Sequence, residues 1–205
     1  MSPRPYQLGK RQAQVDEARR RVLGAARELL ARSDSYTAFT VEAVAKRADV
    51  ARATVYYQFG SKTGLLEAVC DDLAEAGGMD HLSAVFQDGR PVAALEAFVR
   101  AFARFWAADR PALRKLRALA RLDPEVAAVI AERDERRMQG LQVLALRLMP
   151  ADLPAARDLA RVLHMLTSFE TFDALDPDED GFARAVPVVV ALAAGAVANA
   201  RARKG

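Results

Sequence analysis

Cysteine is nearly absent from this sequence, which has Cys70 alone among its 205 residues. A single thiol excludes an internal disulfide and fits a reducing cytosol. Histidine is almost as rare, and neither His81 nor His164 has a metal-ligand partner at helical spacing. A glycine-rich phosphate loop, a nucleophile elbow and a cysteine pair are missing as well. We therefore expect no enzyme and no metal or cofactor site.

Long apolar runs and strand-like patterns are missing too. The N-terminus has no apolar core of the signal-peptide type. The most apolar stretch, Val186 to Ala198, is shorter than the roughly 20 residues that cross a bilayer, so we interpret it as a buried or interface helix. No stretch alternates polar and apolar residues as a half-buried strand would. With 52% apolar residues, the chain can bury a core, and we expect an all-α protein in the cytoplasm without a membrane partner.

The stretch from Phe39 to Lys62 holds two short helical patterns separated by one tight break. Thr40 is placed as the N-cap of the first helix, where its hydroxyl can accept a hydrogen bond from a free backbone amide. The break falls at Asp49 and Val50, and the second pattern begins at Ala51. Two helices joined by so short a turn cross steeply, which is typical of a helix-turn-helix. A helical hairpin without a role at DNA is the alternative.

The same stretch resembles the DNA-binding signature of the TetR regulators. Two positions depart from that signature, since Asp49 stands where the turn usually has glycine and Ala51 where the second helix usually has serine. Aspartate tolerates the left-handed conformation at modest cost, whereas alanine cannot cap a helix, a loss of about 1 kcal/mol. The matching residues, in correct order and spacing, are Thr40, Val44, Ala45, Ala48, Val50, Thr54, Val55, Tyr56, Phe59 and Lys62.

Charge is distributed unevenly along the chain. Residues 1–62 carry 12 basic and 6 acidic side chains, a net charge of +6, whereas the rest of this +3 chain has a net charge of −3. A basic N-terminal third followed by a near-neutral body is the pattern expected of a nucleic-acid-binding protein.

These features predict the organisation of the chain. Residues 1–14 contain prolines and no periodicity, so we expect a mobile basic arm whose Arg4, Lys10 and Arg11 either reach DNA or are simply solvated. By resemblance, residues 15–62 form a three-helix, helix-turn-helix DNA-binding domain, and residues 63–205 form a helical effector-binding and dimerisation domain that begins with a connecting helix, Lys62–Gly77. Residues 79–90 are expected to form a loop, and longer helices are predicted over 91–108, 111–122, 124–149, 153–175 and 180–203.

The exposed positions of the second short helix are candidates for contacts with DNA. Arginine can read guanine with two hydrogen bonds, and threonine or tyrosine can meet a thymine methyl group or a phosphate. Thr40 and Lys62 each stand at a helix start, where backbone amides favour a phosphate. An ordinary solvated helix face is the alternative. The resemblance assigns phosphates to Thr40, Tyr56 and Lys62, and bases to Arg52, Thr54 and Tyr57.

Two groups of residues in the C-terminal part can either line an effector cavity or fill a core. Pattern alone favours the core, whereas the resemblance favours a cavity for a small apolar or aromatic ligand. The first group is an aromatic stripe at helical spacing, Phe98, Phe102, Phe105 and Trp106. The second combines polar and aromatic residues of the next-to-last predicted helix, namely His164, Thr167, Ser168, Phe169 and Phe172.

Small residues recur on one face of the last predicted helix. Such a face lets another helix approach closely, either within one subunit or across a dimer. The family resembled here dimerises through its last two helices, which favours a homodimer on a palindromic operator in double-stranded DNA. The residues of this face are Ala191, Ala194, Gly195 and Ala198.

The resemblance as a whole implies a ligand-responsive regulator of transcription, most often a repressor, that a small molecule releases from its operator. The alternative is a helix-turn-helix DNA-binding factor that senses no ligand.

Overall fold

The computed structural model describes residues 4–32, 39–177 and 181–203, with side chains from Gln12 onward. All regular structure in these ranges is helical, which confirms the all-α prediction. The α-helices are, in chain order, α1 (Arg4–Arg32), α2 (Val41–Arg47), α3 (Arg52–Phe59), α4 (Lys62–Ala76), α5 (Leu82–Gln87), α6 (Pro91–Ala108), α7 (Arg110–Leu119), α8 (Pro124–Leu148), α9 (Leu153–Leu166), α10 (Phe169–Leu175) and α11 (Ala185–Ala202).

The chain folds into two compact units. The first unit contains the chain up to Asp72 together with Pro111–Val129, and the second contains Leu73–Arg110 and the chain from Ile130 onward. By packing, α7 and the start of α8 therefore group with the N-terminal helices. The functional division at residue 62 remains a prediction.

Helix α1 begins earlier than the sequence pattern indicates. The expected arm over residues 1–14 is helical from Arg4 onward, whereas residues 1–3 and the side chains of Arg4, Lys10 and Arg11 lie outside the described residues. Pro5 falls in the first helical turn, where its missing amide costs no hydrogen bond. Most residues from Lys10 to Arg21 are good helix formers, so the helix extends despite a weak apolar pattern.

The first unit has a continuous apolar core. Burying a valine or leucine side chain fully stabilises the folded state by about 1.5–3 kcal/mol relative to leaving it exposed. The core fixes α2 and α3 against α1, so the outward face of α3 has a defined orientation in its unit. The most deeply buried side chains of the helices from α1 to α4 in this unit are Val22, Ala26, Leu30, Val44, Val55, Leu65, Leu66 and Val69.

Helix α6 packs against α5, α10 and α11 in the second unit. The expected loop over residues 79–90 is wrong for most of its length, because a 3-10 turn at Met79–His81 leads into α5. The ring of Phe86 on α5 lies edge-on to Phe98 on α6, with centroids 6.2 Å apart. This tertiary contact stabilises a helix of six residues that is too short to form by itself.

The helix predicted over 153–175 is two helices, α9 and α10, separated at Thr167 and Ser168. Ser168 is the N-cap of α10, and its hydroxyl accepts a hydrogen bond from the Thr171 amide at 3.2 Å. Serine favours caps over helix interiors because its side chain competes for backbone amides, which accounts for the break.

Helix α11 is long and apolar enough, by length and composition, to cross a membrane. The apolar run from Val186 to Ala198 is expected to be too short for this, but the helix extends beyond that run. Core helices of folded domains meet the same criterion, so one such helix is weak evidence for a span. Only 22% of this helix is buried in the described chain, so most of an apolar helix faces outward in a single copy.

Candidate functional site

Helices α2 and α3 form the predicted helix-turn-helix. The Thr40 hydroxyl accepts a hydrogen bond from the Ala43 amide at 3.1 Å, which confirms the predicted N-cap. Asp49 adopts the left-handed conformation with φ 53°, and the Val50 amide then donates to the carbonyl of Ala45 at 3.0 Å. Ala51 precedes α3 without a side-chain cap. Both departures from the family signature are thus accommodated with the turn intact.

Helix α3 is anchored on one side and open on the other. Val55 is 1% exposed and packs into the core, whereas Tyr56 is 38% and Tyr57 85% exposed. Arg52 is also exposed, and Thr54 is half-buried. The face predicted to meet DNA is therefore outward for the arginine and both tyrosines, and partly covered at the threonine.

Arg52 is oriented by two neighbours on the exposed face of its unit. Its Nε lies 2.8 Å from Glu42 Oε1, and its guanidinium donates to the Tyr56 hydroxyl at 3.1 Å. The guanidinium carbon also lies 5.2 Å from the centroid of the Tyr56 ring. The hydrogen bond to Tyr56, followed by the charge of Glu42, raises the pKa of Arg52 above its ordinary value. A permanently charged, pre-oriented donor therefore stands at the start of α3.

Lys62 begins α4, which Ser61 caps by accepting a hydrogen bond from the Gly64 amide at 3.0 Å. The Lys62 side chain is half-buried, and its ammonium donates to a carboxylate oxygen of Asp123. Asp123 was not among the predicted site residues, because Lys62 and Asp123 are 61 positions apart and no local pattern relates them. Lys62, Thr40 and Asp123 line one open cleft of about 340 Å³.

Five of the residues predicted to bind a ligand form one aromatic cluster in the second unit. The ring centroids of Phe98 and Phe102 are 4.7 Å apart, and those of Phe102 and Trp106 are 5.7 Å apart. Phe105 lies 4.5 Å and Phe169 5.8 Å from Trp106. All but Phe105 are buried. The rings thus pack on one another from α6 to α10.

A polar network adjoins this aromatic cluster at the break between α9 and α10. The indole of Trp106 donates to the carbonyl of Thr167 at 3.0 Å. Arg137, only 4% exposed, donates to the Thr167 hydroxyl at 3.0 Å and to the carbonyl of His164. The His164 Nε2 atom lies 3.1 Å from the carbonyl oxygen of Asp134. Arg137 was not among the predicted site residues, because an arginine on a charged helix carries no sign of burial in its sequence.

Ser168 and Phe172, the remaining two residues predicted to bind a ligand, lie outside the aromatic cluster around Trp106. Ser168 serves as the cap of α10, and its hydroxyl lies 3.0 Å from that of Thr171. Phe172 is fully buried and packs on Phe182, with centroids 5.6 Å apart, rather than joining the cluster around Trp106.

The small-residue face of α11 is exposed in the second unit. Ala191, Ala194, Gly195 and Ala198 are all exposed. Their large apolar neighbours Val188 and Leu192 remain 43% and 49% exposed. A groove of about 340 Å³ runs beside this face, lined by Leu159 and Val162 from α9 and by Ala196 and Asn199 from α11. Among the described residues, this face is therefore not used for close packing.

An exposed helix-turn-helix on a basic, all-helical head defines a DNA-binding protein of the regulatory class. Residues 22–69 match the model of the bacterial regulatory proteins, tetR family. The matched residues include the whole helix-turn-helix, which confirms the resemblance of this segment to the TetR regulators. In the part of the chain that the structure describes, no group of His, Cys, Asp or Glu side chains could hold a metal ion.

Solved structures share the fold along most of their length. NalD of Pseudomonas aeruginosa, the secondary repressor of the MexAB-OprM multidrug efflux pump, aligns with a TM-score of 0.65 and 19% identity over 89% of this chain and 96% of its own. A TetR-like regulator from Rhodococcus sp. RHA1 aligns with a TM-score of 0.64 and 19% identity, over 88% of this chain and 96% of its own. The TetR-family regulator PfmR of Thermus thermophilus aligns with a TM-score of 0.60 and 22% identity, over 86% of this chain and 97% of its own. These likenesses concern the fold alone. No curated protein matches the sequence.

Proposed function

We propose that this cytoplasmic regulator is a homodimeric repressor that binds a palindromic operator and is released by a small apolar or aromatic ligand. The observation that carries the DNA-binding part is the outward face of α3, where Arg52 is oriented by two neighbours and Tyr57 is 85% exposed. The net charge of +6 over residues 1–62 adds attraction to phosphates that is independent of sequence.

In this proposal residues 15–62 read the DNA, and residues 63–205 bind the effector and the second subunit. Arg52, Thr54 and Tyr57 face bases, while Thr40, Tyr56 and Lys62 anchor phosphates. A twofold dimer would present its two copies of α3 to half-sites about one helical turn apart, or a multiple of that distance.

The assignment of bases and phosphates can be tested with two variants. An operator is first selected from a library of random duplexes. Lys62→Ala should weaken binding to all sequences about equally and lower the salt dependence by roughly one ion per head. Arg52→Ala should instead relax discrimination by about 1–3 kcal/mol at one base position of each half-site.

The matched control for both variants is Arg100→Ala, which removes the same charge. Arg100 is exposed on α6 in the second unit, where it pairs with Glu96 at 2.7 Å. Binding is measured over a salt series and against the selected library. Indistinguishable profiles for Arg52→Ala and Lys62→Ala would contradict the separate roles, and profiles equal to that of Arg100→Ala would remove both residues from the interface.

The ligand part of the proposal is supported by the aromatic cluster of α6 and by the buried polar network beside it. Large apolar walls with a few convergent polar groups are typical of small-molecule sites. A ligand shifts the protein only if it binds the DNA-free form more tightly than the DNA-bound form. Apolar and aromatic compounds should therefore change Trp106 emission and release the operator over the same concentration range.

The alternative, a DNA-binding factor without ligand sensing, predicts the opposite outcome. Operator affinity would then ignore every compound in the panel, whether or not Trp106 emission changed. The dimer is supported by the exposed small-residue face of α11, whose apolar surface needs a cover that a second copy can supply.

A further inference from the structure

The contact between Lys62 and Asp123 places an acidic side chain beside a residue that the proposed function assigns to a DNA phosphate. We infer that Asp123 is an internal competitor of DNA, holding the Lys62 ammonium in the free protein and lowering the affinity for every DNA sequence. This inference rests on the phosphate-binding role proposed for Lys62.

The Asp123 carboxylate is held in place by its own helix. One oxygen accepts from the Glu125 amide at 2.9 Å and caps the start of α8, while the other accepts from Lys62. A side chain fixed in this way stays in the cleft when the lysine leaves. Lys62 therefore has one anionic partner inside the protein and, by the proposed function, a second one on DNA.

Asp123 is charged at neutral pH. The hydrogen bond from Lys62, opposed by desolvation and assisted by the Glu125 amide, holds the pKa of this carboxyl below its ordinary value. Thr40, the other phosphate candidate, lines the same cleft. A phosphate that enters beside Thr40 and Lys62 thus meets a carboxylate of like charge, which opposes binding even after the lysine is released.

Asp123→Asn tests the inference with little change in structure, because asparagine caps helices as well as aspartate does. The matched control is Glu125→Gln, which removes an equal charge two residues away on an exposed side chain of α8. Binding of the full-length protein to a mixed-sequence duplex of about 30 base pairs is measured over a salt series, since phosphate contacts are independent of sequence. Thermal melts check that both variants are folded.

Asp123→Asn should bind the duplex about threefold to fivefold more tightly at low salt, the range expected for freeing a partly exposed ion pair, while Glu125→Gln should change affinity less than twofold. Most of the gain should disappear in the Lys62→Ala background. Equal affinities for Asp123→Asn and Glu125→Gln would overturn the inference, as would weaker binding by Asp123→Asn, which would show that the carboxylate positions the lysine.

Two further outcomes separate this inference from the proposed function. A gain that survives in full in the Lys62→Ala background would refute competition for Lys62 while leaving the proposed function intact. If Lys62→Ala alone leaves binding unchanged, the phosphate role of Lys62 is wrong and the competition falls with it, whereas the reading of bases by Arg52 is judged by its own variant.

Discussion

A charge placed on the outward face of α11 tests the proposed dimer most directly. Gly195 lies within this helix, and a Cβ atom built there meets nothing within 4 Å, so glutamate fits the single chain. Replacing a glycine inside a helix with a good helix former should even stabilise the subunit, by about 0.5–1 kcal/mol. Any loss of assembly must then come from the interface itself.

The cost in a dimer is large because the substitution enters twice. If two copies of α11 pack through Ala191, Ala194 and Ala198, each subunit brings one glutamate carboxylate into an apolar contact without a partner. The penalty for an unpaired buried charge is several kcal/mol per ion, which weakens association by more than about a thousandfold. A dimer that is complete at micromolar concentration should therefore become a monomer.

Light scattering and sedimentation at micromolar concentration measure the mass, and the matched control is Gly24→Glu. Gly24 is also an exposed helical glycine whose added Cβ meets nothing within 4 Å, but it lies on α1 in the first unit. We expect half the dimer mass for Gly195→Glu, full dimer mass for Gly24→Glu, and melting temperatures no lower than that of the parent. A dimer that persists in Gly195→Glu would place the interface elsewhere.

Three other substitutions give defined outcomes in thermal or denaturant melts. Phe102→Ala removes a ring packed on Phe98 and Trp106 and should lower the free energy of unfolding by about 3–5 kcal/mol. If Phe102 also lines the proposed effector cavity, the ligand concentration needed to release DNA should rise. Release at an unchanged concentration would make Phe102 a core residue only. Thr40→Ala removes the cap of α2 and should cost about 1 kcal/mol, so an unchanged melt would refute the cap. Asp49→Gly should stabilise the first unit by up to about 1 kcal/mol, since glycine adopts φ 53° without the steric cost of a Cβ. A loss of stability would show that the Cβ of Asp49 imposes no such cost.

The local features of the head were predictable because they depend on neighbouring residues. The caps at Thr40 and Ser61 and the left-handed turn at Asp49 each involve atoms within a few positions of one another. The periodicity of α3 likewise placed Val55 inward and Tyr57 outward. Such short-range rules determine most of the helix-turn-helix.

The features that sequence analysis missed depend on distant residues. Helix α5 forms because Phe86 meets α6, and Arg137 is buried because α9 supplies a carbonyl and a hydroxyl for its guanidinium. Asp123 approaches Lys62 across 61 positions. Tertiary contacts override local preference at such places, and a periodic pattern contains no information about them.

The burial of Trp106 has an optical consequence. It is the only tryptophan of the chain, it is 4% exposed, and it belongs to the second unit. Its fluorescence follows unfolding of that unit alone, whereas far-ultraviolet circular dichroism follows the helices of both. Coincident transitions in denaturant would show that the two units unfold cooperatively, and separate ones would give each unit its own midpoint. The wild-type chain can thus report the stability of its first unit by difference, without an added label.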